Sequence, residues 1–213
     1  MCSIGYRDDS LADLITTSSS KDTTIRIYSR RTFAHLHTLV GHTGPVNALG
    51  LSGNQLVSVS GDGTLMVWSL PSPSSISSTV VLSDEGPCHL RTLTGHTRGL
   101  ACVDFHGDII VSGSSDMSIK IWSATSGQCL STFKGHEALV RSLEYDPLLG
   151  RLVSASYDRK VIVWNVMVDR RDNVLCGDGR KEINVEVKKV REFSGYHSSH
   201  IFDVKFDGSR IVR

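Results

Sequence analysis

Gly95-His96-Thr97 … Val111-Ser112-Gly113-Ser114-Ser115-Asp116 … Ile119-Lys120-Ile121-Trp122 is the stretch that decides the fold, because it is repeated. A second copy runs from Gly41-His42 through Asp62 to Trp68, and a third from Gly135-His136 through Asp158 to Trp164. Asp62 to Trp68, Asp116 to Trp122 and Asp158 to Trp164 each span six positions. His96 to His136 spans 40 positions, and a period of about 40–45 residues with Gly-His and Trp marks is the pattern of a four-stranded propeller blade.

Working outward, apolar residues alternate or run in fours between Gly, Asp, Asn and Ser, which predicts many short strands and little helix. Residues 1–40 make a first unit, with strands at Cys2–Tyr6, Leu14–Ser18, Thr24–Tyr28 and Leu36–Leu39. Residues 41–94 make the second, with strands at Val46–Leu51, Gln55–Val59, Thr64–Trp68 and Cys88–Leu93. Its Pro71-Ser72-Pro73-Ser74 run lies in an inserted surface loop over 70–87, since Pro at this density cannot maintain a ladder. Residues 95–134 form the compact third unit, with strands at Leu100–Phe105, Ile109–Gly113, Ser118–Trp122 and Gln128–Phe133.

The fourth unit is 135–194, with strands at Val140–Tyr145, Leu152–Ala155, Lys160–Trp164 and Val187–Phe193. It carries an insertion over 167–186, and the mixed charge and Gly of that stretch read as a mobile loop. Residues 195–213 begin a fifth unit, with strands at Ile201–Phe206 and Arg210–Arg213. The expected fold is therefore all-β: about four and a half propeller blades. The Gly-His that should open the first unit falls before Met1, and a propeller closes as a ring of about 4–8 blades, so the expectation is a fragment of a larger ring.

Composition narrows the function. Lys and Arg number 23 against 22 Asp and Glu, so bulk charge makes no case for nucleic acid or an acidic membrane surface. Arg30-Arg31 and Lys188-Lys189 are short pairs of the kind found at solvated strand ends, and nucleic acid is not an expected partner. No apolar run approaches the roughly 18 residues of a membrane span. The five cysteines (Cys2, Cys88, Cys102, Cys129, Cys176) are odd in number and form no Cys-x-x-Cys pair, so no disulfide framework, metal site or cofactor is expected. The compartment expected is a reducing one, cytoplasm or nucleus.

The repeated units resemble the WD-repeat family, and the resemblance spans nearly the whole chain. In that family a His, a strand Ser, a turn Asp and a Trp form a hydrogen-bonded chain that locks each blade. The matching positions are His42, Ser58, Asp62 and Trp68; His96, Ser112, Asp116 and Trp122; and His136, Ser154, Asp158 and Trp164. Asp22 and Tyr28 make a weaker first set, with Tyr in place of Trp. Ser, His and Asp are also the members of a hydrolase triad, but a catalytic set occurs once and this one recurs in each unit. No G-x-S-x-G, H-E-x-x-H, P-loop or G-x-G-x-x-G is present, and no enzyme activity is expected.

Partner recognition is then assigned to positions that the repeat leaves free. The residues before the turn Asp are Lys21, Gly61, Ser115 and Tyr157. Those after the first apolar residue of the inner strand are Asn47, Ala101, Arg141 and Phe202. Among them Lys21, Asn47, Arg141, Tyr157 and Phe202 are the candidates for a top-face protein-binding site, with Arg141 and Tyr157 foremost, because Arg offers a bidentate fork and Tyr a rigid surface. Within the family the phrases Gly95-His96-Thr97 and Thr125-Ser126-Gly127-Gln128-Cys129-Leu130 are most similar to F-box/WD-repeat substrate receptors of cullin-RING ubiquitin ligases. That resemblance implies a protein or peptide partner, phosphorylated in some of those receptors. Two features depart from it: no F-box precedes the repeats, and Ala101 and Ser115 stand where a phosphate-binding member has Arg. The alternative is a general scaffold in signalling, trafficking or RNA processing.

Overall fold

The structure, a computed structural model, describes the backbone of residues 14–18, 22–70, 86–175, 181–206 and 211–212. Among these, all regular elements are strands. The first group is β1 (Leu14–Ser18), β2 (Ile25–Ser29) and β3 (His35–Leu39). The second is β4 (Val46–Ser52), β5 (Gln55–Ser60), β6 (Leu65–Ser69) and β7 (Cys88–Leu93). The third is β8 (Leu100–His106), β9 (Ile109–Ser114), β10 (Ser118–Ser123) and β11 (Cys129–Lys134). The fourth is β12 (Val140–Asp146), β13 (Arg151–Ser156), β14 (Val161–Leu175) and β15 (Lys181–Phe193), and β16 (Lys205–Phe206) and β17 (Ile211–Val212) follow. Each group is an antiparallel meander in chain order. The strand expected at Cys2–Tyr6, Lys21, and most of the 70–87 insertion lie outside the described residues.

Burial is greatest at the second strand and least at the outer strand of the third blade. The second strand β9 is buried along its whole length, whereas β11 is exposed or half-exposed throughout. The inner strands lie side by side, β4 against β8, β8 against β12 and β12 against β16. Alternation then serves two interfaces at once, because successive side chains of a strand point to opposite faces. On β9, Ile110 enters the core shared with the preceding blade, where Val57, Val59 and Phe105 meet it. Ile109 and Val111 enter the core shared with the next blade, among Val140, Leu152 and Trp164. Ile27, Leu56 and Trp68 fill the junction of blades one and two, and Val153, Val161 and Ile201 that of blades four and five.

Inner strands of neighbouring blades are stitched by side chains. The Gly107 N–H donates to Ser52 Oγ (2.8 Å), the Tyr145 N–H to Asp104 Oδ2 (2.8 Å) and the Phe206 N–H to Glu144 Oε2 (2.7 Å). Each acceptor takes an N–H from the next blade in the chain, which helps satisfy backbone groups where two sheets abut. Near the other end of its strand, Ser142 Oγ donates to Asp203 Oδ1 (2.7 Å) and accepts from the Val204 N–H (3.2 Å).

Two expectations require correction. Residues 167–175 and 181–186 are strand rather than loop: β14 and β15 pair from Val161↔Phe193 to Arg171↔Glu182 and, past a register shift, at Leu175↔Lys181, making a two-stranded ribbon. Val168, Val185 and Val187 pack with Leu130 against the core between blades three and four, which gives the ribbon an apolar face to bury. In the fifth unit the expected strand Ile201–Phe206 is regular only at Lys205–Phe206, although Ile201 and Val204 are buried.

Candidate functional site

Three of the blades carry the same hydrogen-bonded chain. In blade three, His96 Nδ1 lies 2.9 Å from Asp116 Oδ2, His96 Nε2 lies 2.9 Å from Ser112 Oγ, and the Trp122 indole N–H donates to Ser112 Oγ at 2.9 Å. Blade two repeats it with His42, Asp62, Ser58 and Trp68 at 3.0, 2.8 and 2.9 Å. Blade four repeats it with His136, Asp158, Ser154 and Trp164 at 2.9, 2.8 and 2.9 Å. An ionised Asp can only accept, so Nδ1 carries the hydrogen. Nε2 then accepts from the Ser hydroxyl, and the Ser oxygen accepts from the indole. Every polar atom along this chain finds a partner, as burial demands.

The Gly of each Gly-His pair makes room for the indole. A Cβ on Gly135 would stand 2.5 Å from Trp164 Cη2, and one on Gly95 would stand 3.2 Å from Trp122 Cη2.

The wiring is that of a hydrolase triad, but Ser58, Ser112 and Ser154 are each 0% exposed. Each hydroxyl also holds an indole N–H, so no acyl group can approach it. Burial holds His42, His96 and His136 below their ordinary pKa of 6.5, although the partner Asp pulls the other way. Burial works against the charge of Asp62 and Asp116. The hydrogen bonds they accept outweigh it and hold both carboxyls far below the ordinary carboxylate range. Asp158 is lowered for the same reason.

Sequence reasoning missed two members of the network. Thr64 Oγ1 donates to Asp62 Oδ1 (2.7 Å), and Ser118 Oγ does the same to Asp116 (2.5 Å). Ser60, Ser114 and Ser156 each accept from the N–H of the following Asp at 3.1 Å. The signal was in the sequence as Ser-x-Asp-x-Thr/Ser, the spacing of side-chain-to-backbone turns. Blade four departs from it: Lys160 takes the Thr/Ser place and turns its ammonium to Glu137 (2.9 Å) and Glu192 (3.4 Å).

Each complete inner strand has a bulge at its start, between Val46 and Ala48, Leu100 and Cys102, and Val140 and Ser142. Asn47, Ala101 and Arg141 are the bulged residues, and a bulge re-aims the side chain it carries. Asn47 Nδ2 donates to Leu100 O (2.6 Å), and Arg141 Nη1 donates to Ala101 O (3.4 Å), so both lean onto blade three from opposite sides. Cys102, beneath them, is buried. That pushes its thiol up to about 12, the state of an inert packing residue rather than a nucleophile.

At the same end of the blades, Tyr157 follows Ser156, the register partner of Val140, and its N–H donates to Leu139 O at 3.0 Å. The Tyr157 ring stacks on His200 at 4.5 Å and 10°, and meets Phe202 edge-on at 5.3 Å. Phe202 is 60% exposed. Arg141 and Phe202 immediately precede the bonded pair Ser142 and Asp203, so the two backbones pass close to one another at this end of blades four and five. Four of the five candidate residues are thus described. Tyr157 and Phe202 meet, whereas Arg141 turns to Ala101 of blade three and Asn47 reaches that blade from its other side.

Four-stranded antiparallel blades, stacked around an inner strand and locked by a repeated His–Ser–Asp–Trp chain, define a β-propeller repeat protein. The chain belongs to the WD40 family: the family model "WD domain, G-beta repeat" matches residues 33–69, 87–123 and 127–165. Each matched repeat opens before or at the outer strand of one blade and runs through the third strand of the next, so repeat and blade are offset by one strand. "WD repeat-containing protein pop2" of Schizosaccharomyces pombe is 31% identical over 153 residues, covering 61% of this chain and 22% of that protein. "Nuclear distribution protein PAC1" of Arthroderma otae is 27% identical over 181 residues, covering 78% of this chain and 36% of that protein. The chain thus spans between about a fifth and two-fifths of these relatives' length. The crystal structure of the computationally designed Ika8 protein is similar in fold, with a TM-score of 0.69 at 24% identity, over 98% of this chain and 53% of that one.

Proposed function

We propose that this WD-repeat protein-interaction chain is the substrate-recognition part of an F-box/WD-repeat ubiquitin ligase, and that Arg141 receives an anionic group of a partner peptide. The observation that carries the reading is the state of Arg141. A guanidinium has five N–H donors, yet among the described residues this one makes a single long hydrogen bond, to Ala101 O at 3.4 Å. Its bulge aims it over Ala101, whose small side chain leaves the space open. A planar fork with free donors is matched to a carboxylate or phosphate. Tyr157 and Phe202 supply rigid contact surface at the same end of the blades, and Asn47 reaches blade three from its other side.

Binding of acidic and phosphorylated peptide libraries to the wild type and to Arg141→Ala tests the site. The reading requires a loss of anion-dependent binding in the variant with the thermal melt unchanged; equal binding overturns it. For the ligase assignment, the coding sequence flanking these residues is decisive. An F-box there supports it, and a full-length transcript without one overturns it.

A second reading, a general scaffold, is favoured by the unlike names of the relatives, a "WD repeat-containing protein" and a "Nuclear distribution protein". Under it the same face binds a partner without regard to its phosphorylation.

A further inference from the structure

We propose that the free edge of β15 pairs with the same edge of a second copy of this chain, making a twofold dimer through the blade-four ribbon. An unpaired row of backbone N–H and C=O groups is a template for another strand, and short outer strands limit that hazard. β3, β7 and β11 are short, at 5, 6 and 6 residues, whereas β15 runs for 13. Among the described residues β15 pairs with β14 alone, so every second residue turns its backbone groups to the other side. The edge is held in place for this, because Val185 and Val187 rest with Leu130 against the core between blades three and four.

The charges on β15 select a second copy, and one register. Glu186, Val187 and Lys188 follow one another, with the Lys188 ammonium 2.9 Å from Glu186 Oε1 and both side chains more than half exposed. Directly opposite residues of an antiparallel pair share a face, where unlike charges attract and like charges repel. Self-pairing centred on Val187 sets Glu186 of each copy opposite Lys188 of the other, twice by symmetry. Over 184–190 it also sets Asn184 opposite Val190 and Val185 opposite Lys189, so no like charges meet there. A slip of one residue would turn the valine face of one copy outward. The nearest registers that keep the faces together are centred on Glu186 or on Lys188, and each sets that charge against its own copy.

The test is sedimentation velocity of the full chain over a concentration series. A strand edge buries little area, so the dimer is expected from roughly tens of micromolar upward. Glu186→Lys and Lys188→Glu each oppose like charges at both symmetric contacts and are expected to weaken it about tenfold. Both positions are exposed, so thermal melting should be unchanged in either variant. Mixed in equal amounts, the two variants are expected to associate with each other as well as the wild type does with itself, because every contact is again between unlike charges. A wild type that stays monomeric throughout the series overturns the inference. A dimer that neither variant weakens, or a mixture that associates no better than its components, overturns it as well.

Discussion

Trp164 lies flat enough against Gly135 that a single added methyl group would stand 2.5 Å from the indole Cη2 atom. The space behind each Gly-His pair is therefore already occupied by the blade's own Trp. Gly135→Ala forces the indole or the loop to shift, at a cost of about 1–3 kcal/mol for overpacking. At roughly 2–4 °C per kcal/mol for a chain of this size, thermal melting reads it directly. Gly41→Ala is expected to cost less, because the nearest atom there is the flexible Met66 sulfur at 3.0 Å.

Ser112 is the central link of its chain, since its hydroxyl serves His96 and Trp122 together. Ser112→Ala leaves two buried polar groups without partners, at about 1–3 kcal/mol each. Chemical denaturation should show a loss of about 2–6 kcal/mol. Ser126→Ala, in an exposed turn, serves as the near-neutral comparison.

Acid should unfold this protein in two stages. The native histidines sit below 6.5, so below that pH the unfolded chain binds more protons than the folded one, and stability falls as pH drops. Below the ordinary Asp value of 3.8 the unfolded Asp62, Asp116 and Asp158 begin to take protons while the native carboxylates remain charged. A second loss then adds to the first. Urea midpoints measured from about pH 8 to about pH 3 should be flat above the His range and fall in both windows.

Asp104 on β8 holds the Tyr145 N–H of the next blade at 2.8 Å. Asp104→Ala removes that acceptor, at about 1–3 kcal/mol, whereas Asp104→Asn retains one and costs less. Hydrogen exchange at Tyr145 should accelerate in the Ala variant before exchange in β9 does.

Much of the fold was legible in the residues. Strand positions in the second and third units agree with the alternation to within a residue or two, because each strand is bounded by Gly, Asp or Asn at its turn. The ribbon of β14 and β15 was not, although its alternation is visible: Val166 and Val168 on one face, Met167 and Asp169 on the other. Charge and Gly content outweighed that signal, because nothing local announces the apolar edge of blade three on which the valines rest. His200 stacks on Tyr157 from a different blade, a pairing that no local pattern contains.

The sequence by itself determined the blade. Its His, Ser, Asp and Trp recur at fixed spacing because each blade must satisfy the same buried polar atoms in the same way. Only the tertiary structure decided which blades meet, and with them the stitches from Ser52, Asp104 and Glu144 to the next blade's N–H groups. It also brought Tyr157 of blade four against His200 and Phe202 of the next unit. Those contacts join residues up to 62 positions apart, and they exist only where one twisted sheet packs against the next.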